Sequence, residues 1–102
     1  MNKAQQYLND RGDVLLTRLR GLSFEELMRG SQQQEELRFG YLWKGYITTH
    51  VDPIDDHMVR VVVHGVLELR LPGNYINYIE GFRQRRDGSL EKLTDADYCE
   101  FD

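Results

Sequence analysis

The segment TTHVDPIDDHMVRVVVHG, residues 48–65, places three histidines and three aspartates around one proline. Imidazole nitrogens and carboxylate oxygens bind metal ions and exchange protons, so this composition fits a metal site or an acid–base pair. A transition metal needs three or four such ligands converging within about 2.3 Å of one point. The candidate metal ligands around the 50–57 loop are His50, Asp52 and His57.

The residues on both sides of this loop alternate between apolar and polar side chains, which predicts two antiparallel β-strands. The apolar side chains fall on odd positions, namely Tyr41, Trp43, Ile47 and Val51 before the loop and Val59, Val61, Val63, Leu67 and Leu69 after it. The odd positions of both strands are therefore expected to share one face of a sheet and to pack against helices.

A five-residue loop, DPIDD at 52–56, sets the register that we predict for this hairpin. In that register His50 and His57 point to opposite faces of the sheet. His64 pairs with Lys44, about 23 Å along the strand from the loop. The segment is therefore predicted to form a hairpin turn, and a metal-dependent site at this loop remains only an alternative hypothesis.

Helical patterns precede the strands. Residues 2–20 predict an amphipathic helix that Gly12 interrupts. Ser23 and Glu26 have the spacing of a capping box, which predicts the start of a short second helix. The polar segment 31–38 predicts one more helical turn or a connector.

Turn signals and strand patterns follow the hairpin. The sequence LPGN at 71–74 predicts a type II turn. Residues 74–86 fit a helix or a third strand, and their aromatic and β-branched content favours the strand. Asp87 and Gly88 predict a tight turn into a last short strand, SLEKL.

The C-terminal stretch 87–102 contains six acidic residues and one lysine. It directly follows a basic cluster formed by Arg83, Arg85 and Arg86. We expect the stretch to be solvated, with pairing to the arginines as the alternative. A helical turn beginning at Thr94 or Asp95 is expected to set Tyr98 and Phe101 against the body of the protein.

These patterns predict an α+β fold in which N-terminal helices pack on one face of a three- or four-stranded antiparallel β-meander. The length of 102 residues favours one domain, with 1–38 as its helical part and 39–102 as the meander and a short C-terminal turn. Charged residues make up 29% of the chain, as is typical of globular proteins and not of disordered ones.

The sequence lacks the signals of most functional classes. No glycine-rich phosphate loop, nucleophile elbow or zinc-protease motif is present, and Cys99 lies among acidic neighbours that do not activate a thiol. We therefore expect no catalysis and no cofactor. The single cysteine and the polar start, MNKAQQYLND, lead us to expect a cytoplasmic protein without a membrane segment.

Protein interaction is the function that we expect. A face of the sheet not covered by the helices would expose six side chains that could bind another protein or a second copy, namely Leu42, Tyr46, Met58, Arg60, Val62 and His64. The protein would then be a homodimer, or a regulator or chaperone of a partner protein. The C-terminal turn or the polar connector could instead cover that face.

RNA or single-stranded nucleic acid is the alternative ligand for the same face. Its basic contacts would be Lys44, Arg60, Arg83, Arg85 and Arg86. The net charge of −4 makes nucleic acid the less favoured partner, because binding a phosphate backbone requires an excess of basic residues.

Overall fold

The computed structural model describes residues 3–30, 32–69 and 74–99. Its helices are α1 (Lys3–Arg20), α2 (Phe24–Met28) and α3 (Asp95–Cys99). Its strands are β1 (Gln33–Phe39), β2 (Trp43–Asp55), β3 (Met58–Leu69), β4 (Tyr75–Arg85) and β5 (Leu90–Lys92). The strands form one antiparallel sheet in chain order, β1-β2-β3-β4-β5. The predicted α+β class, with an N-terminal helix on an antiparallel meander, is confirmed.

Helix α1 packs across β3 and β4 and approaches the sheet closely at two glycines. A Cβ at Gly12 would overlap the ring of Tyr78, and a Cβ at Gly65 would lie 2.9 Å from Cδ1 of Leu8. The predicted interruption at Gly12 is wrong, because the helix continues through this position. Gly12 serves to let the helix backbone approach the sheet, and its lower helix propensity is outweighed by that packing.

The short helix α2 begins as predicted. The Glu26 amide donates to Oγ of Ser23 at 3.2 Å, and the Ser23 amide donates to Oε1 of Glu26 at 3.2 Å. This reciprocal capping box satisfies two amides that the first helical turn leaves without helical partners. Phe24 and Leu27 point into the core and hold this five-residue helix against the sheet.

The sheet has five strands, so the prediction of three or four is wrong. The additional strand is β1. Its segment was predicted to be a helical turn or a connector, and to belong to a helical part that ends at residue 38. The reason is that β1 lies at the edge of the sheet, and among its side chains only Leu37 is buried. An edge strand with one buried side chain has no apolar alternation to detect.

The C-terminal half follows the predictions more closely. Residues 75–85 form a strand and not a helix. A turn then leads into β5. In this turn Gly88 has φ of 93°, and the Ser89 amide donates to Oδ1 of Asp87 at 2.8 Å. A helical turn, α3, follows β5. The turn predicted at 71–74 and the packing predicted for Phe101 lie outside the described residues, except for Asn74.

The core lies between the helices and the sheet face that they cover, called here the helix face. On β2 and β3 this face carries the odd positions, as predicted from the apolar alternation. Its fully or nearly fully buried side chains include Ile47, Val59, Val61, Val63 and Leu67. The opposite surface of the sheet, called here the open face, carries the even positions of the same two strands.

Candidate functional site

The aspartate-rich loop is shorter than predicted. Strand β2 continues through Pro53 to Asp55, a register shift separates Pro53 from Asp55, and only Asp56 and His57 form the turn. The His57 amide donates to Oδ1 of Asp55 at 2.7 Å and stabilises this turn. Proline is tolerated in β2 because β1 begins opposite Thr49, so the part of β2 beyond Thr49 has a neighbouring strand on one side only.

The longer β2 strand changes the pairing of the histidines. His64 pairs with Thr48 and not with Lys44, and His50 pairs with Val62. His50 and His64 are therefore diagonal neighbours on the open face, which the predicted register did not show. The predicted distance of about 23 Å between His64 and the loop is consistent with the structure, because His64 lies seven residues along β3 from His57 in the turn. The assignment of odd and even positions to the two faces is correct, because the buried odd positions of both strands must share one side.

The environment of His50 favours its neutral form. Burial lowers its pKa below the ordinary value of 6.5, and the nearby His64 and Arg60 act in the same direction. The Asp52 carboxylate opposes this shift. His50 is thus a partly buried histidine whose protonation the fold disfavours.

The candidate metal ligands do not converge. Oδ2 of Asp52 accepts a hydrogen bond from Nη2 of Arg60 at 3.1 Å, and His57 lies in the hairpin turn. Across residues 3–30, 32–69 and 74–99, no three histidine, cysteine or acidic side chains are arranged to hold a metal ion. The geometry therefore gives no support to a metal site formed by His50, Asp52 and His57.

A network of charged side chains occupies the open face over β3 and β4. Asp97 of α3 accepts hydrogen bonds from Nε and Nη2 of Arg83 at 3.0 and 2.7 Å, and from Nη1 of Arg60 at 3.4 Å. Hydrogen bonds from Arg83 hold the pKa of Asp97 well below its usual range, although burial acts in the opposite direction. The acidic C-terminal stretch therefore pairs with the basic cluster within the chain, which was the alternative to a solvated stretch.

Asp97 also helps to cap the N-terminus of its own helix, α3. The Thr94 amide donates to Oδ2 of Asp97 at 2.8 Å, and the Asp97 amide lies 3.3 Å from Oγ1 of Thr94. This is a capping box with aspartate in place of glutamate, and it fixes the carboxylate above the sheet. The structural role of Asp97 was not predicted, although the spacing of Thr94 and Asp97 is the signal in the sequence that indicates it.

The C-terminal segment, residues 93–99, covers part of the open face. Val62 lies on the open face, away from α1, and is nevertheless fully buried. Gly81 is the cross-strand partner of Val62, and a Cβ at Gly81 would lie 2.8 Å from Cδ1 of Leu93. Val62 therefore cannot belong to the exposed interaction surface to which the sequence analysis assigned it. Its burial means that a charged side chain at position 62 would destabilise the fold itself.

The part of the open face over β1, β2 and the end of β3 is left uncovered. Here Tyr46 is 41% exposed, and Leu42, in the β1–β2 turn, is 56% exposed. A shallow cleft of about 470 Å³ is lined by Gln34, Glu36, Lys44, Gly45, Tyr46, Val66, Glu68 and Leu69. Of the remaining residues predicted for the interaction surface, Met58, Arg60 and His64 are half-buried.

The basic residues of the nucleic-acid alternative are spread over several contacts. Arg60 and Arg83 bind Asp97, and Arg85 forms an ion pair with Glu91. Nη1 of Arg86 lies 3.5 Å from the carbonyl oxygen of Asp56. Lys44 is exposed in the cleft and pairs across the strands with Glu68. Acidic or carbonyl groups thus lie beside each of these five basic side chains.

Comparison with protein-family models, with curated proteins and with solved structures found no match. None of the helices in the described ranges combines the length and the apolar character needed to cross a lipid bilayer.

Proposed function

We propose that this protein is a protein-binding module that acts as a homo-oligomer or as a regulator or chaperone of a partner protein. Its docking surface is the outer edge of β1 together with the cleft beside it. The observation that carries the proposal is the regularity of β1 at the edge of the sheet. All seven of its residues pair in register with β2, and no other described strand lies on its outer side.

An edge of this kind is a template for another polypeptide chain. Its outward amide and carbonyl groups can form a further antiparallel or parallel ladder, which is how many domains bind extended segments. Proteins often block such edges with proline, a β-bulge or charged side chains. The β1 sequence QQEELRF has an unbroken register and no proline, and its charged side chains, Glu35, Glu36 and Arg38, carry both signs, so a strand of complementary charge can pair with it. The strand is therefore suited to accept a partner strand.

The opposite edge of the sheet is formed by β5, which has only three residues and pairs with residues 82–84 of β4. Farther along β4, Nε2 of Gln5 donates to the carbonyl oxygen of Asn77 at 3.2 Å. The Tyr98 side chain packs beside Glu80, and burial together with this carboxylate raises the pKa of Tyr98. This difference between the two edges supports β1 as the docking edge.

Apolar exposure next to β1 adds to this argument. Tyr41 in the β1–β2 turn is 95% exposed, and Leu42 and Tyr46 are exposed beside it. Aromatic and aliphatic side chains grouped at one place on a surface are typical of protein interfaces. A phosphate backbone is less suited to this region, because Glu36 and Glu68 line the same cleft.

Site-specific photo-crosslinking tests the proposal. Benzoylphenylalanine is incorporated in place of Gln34, an exposed residue of β1, and the matched control replaces Gln6, which is exposed on α1. Discrete protein adducts are expected after irradiation of cells that contain the Gln34 form and not of those that contain the Gln6 form. The proposal fails if Gln34 yields no protein adduct, or the same adducts as Gln6.

A further inference from the structure

We propose that the partner strand is β1 of a second copy of this chain, paired antiparallel about a twofold axis that passes beside Leu37. Two five-stranded sheets would then join into one continuous sheet of ten strands. This inference rests on the proposed function, because it requires the β1 edge to bind protein. It adds the identity of the partner and the register of the contact.

The distribution of buried residues restricts the possible registers. Leu37 is 2% exposed and lies on the helix face, whereas Glu36 and Arg38 are exposed on the open face. Residues that lie opposite one another in an antiparallel pair project to the same face. If both copies keep their helices on one side of the joined sheet, paired positions must sum to an even number.

Charge selects one of these registers. An axis at Glu36 or at Arg38 places that residue opposite its own copy, and like charges directly opposite each other are destabilising. An axis at Glu35 places Glu35 opposite its own copy. An axis at Gln33, Gln34 or Phe39 brings no side chains of opposite charge opposite each other. With the axis at Leu37, Glu36 of each chain lies opposite Arg38 of the other, which creates two cross-strand pairs of opposite charge.

The same register pairs positions 35–39 of one chain with those of the other. Glu35, which forms an ion pair with Arg11, lies opposite Phe39, whose ring packs against Tyr7 at a centroid distance of 5.2 Å. The chain leaves β1 after Phe39 and turns at Gly40, which has φ of 64°, so the ladder between the two chains ends there.

Helix α1 makes its main contacts with β3 and β4, and α2 contacts β2 and β3. Helix α1 also reaches β1 through Arg11 and Tyr7, which contact Glu35 and Phe39 on the helix face. The outer backbone edge of β1 has no described strand beside it. A second β1 strand at the usual spacing of about 4.8 Å would meet the exposed residues of this strand.

A charge exchange across the axis tests both the partner and the register. Glu36→Arg and Arg38→Glu each convert the two attractive pairs into two repulsive ones, and both residues are exposed in the single chain. Each variant alone is expected to dissociate at least about tenfold more readily than the wild-type dimer. The double variant E36R/R38E is expected to recover the dimer. A mixture of the two single variants is expected to form the heterodimer, because each then supplies the charges that the other requires.

Light scattering over a concentration series and native mass spectrometry of the mixture provide the readouts. Glu25→Arg is the matched control, since it makes the same charge change at an exposed position of α2, outside β1 and its cleft, and should leave the dimer intact. Circular dichroism checks that each variant folds. A wild-type chain that is monomeric throughout the series, or a dimer that the single variants do not weaken, would overturn the inference. In either case, Gln34-specific crosslinks to a different protein would leave the proposed function standing, whereas their absence would remove both.

Discussion

Asp97 and Arg83 form a two-point contact, in which Nε donates to Oδ2 at 3.0 Å and Nη2 donates to Oδ1 at 2.7 Å. The contact joins α3 to β4 and is reinforced by Arg60 of β3. The Asp97 side chain is only 3% exposed, so water screens the pair weakly. This contact therefore fixes the C-terminal segment over the part of the open face that includes Val62.

Replacing Asp97 with asparagine is expected to lower the free energy of unfolding by about 2 to 3 kcal/mol, because two partly buried guanidinium groups lose their shared carboxylate. The measurement is urea denaturation followed by circular dichroism at pH 7. Asp95→Asn is the matched control, since Asp95 is exposed in the same helix and its replacement should change stability by less than about 0.5 kcal/mol. Equal effects of the two variants would contradict the role assigned to Asp97.

Acid is expected to weaken the same contact. The pKa of Asp97 is lower in the folded protein than the usual value of about 3.9, so its contribution to stability is complete above that value and is lost as the pH falls toward the folded pKa. The free energy of unfolding of the wild type should therefore decline as the pH is lowered from about 5 to 2. The decline should be smaller for Asp97→Asn, and identical slopes for the two proteins would be evidence against this assignment.

His50 is expected to add a second pH dependence nearer to neutrality. Its pKa is lowered in the folded protein, chiefly by burial, so the unfolded chain binds a proton more readily than the folded one. The resulting stability is present above the unfolded pKa of about 6.5 and is lost as the pH falls through the folded pKa.

Titration of the His50 ring by NMR should give a midpoint below 6.5. In denaturation experiments, His50→Gln should reduce the loss of stability that accompanies acidification from neutral pH. A midpoint at or above 6.5 would show that burial does not dominate at this position.

Gly12→Ala is expected to destabilise the protein although alanine favours an exposed helix interior by about 1 kcal/mol over glycine. The added methyl group would overlap the Tyr78 ring, whose hydroxyl donates to Oδ1 of Asp13 at 2.9 Å and which is 7% exposed. Displacing that ring should outweigh the gain in helix propensity and leave a net loss of about 1 to 2 kcal/mol.

Thermal unfolding measures this effect. Thr17→Ala is the control, because Thr17 is exposed in the same helix and its replacement should raise stability by a few tenths of a kcal/mol. An increase in melting temperature for Gly12→Ala would mean that α1 lies farther from β4 than described.

Local signals in the sequence were sufficient for much of the fold. The Ser23 and Glu26 capping box, the Asp87-Gly88 turn and the odd-position apolar alternation of β2 and β3 each depend on neighbouring residues. Such features can be identified without knowing the rest of the structure. Strand β1 could not be identified in this way, because its edge position leaves only Leu37 buried.

The candidate site depended on longer-range relationships. The sequence by itself determined that the odd positions of the hairpin share a buried face, since a shift by one residue would expose every apolar side chain. It did not determine which even positions meet, because shifts by two or four residues preserve that alternation. Only the tertiary structure decided that His50 lies beside His64, and that Asp97 returns across the open face to bind Arg83 and bury Val62.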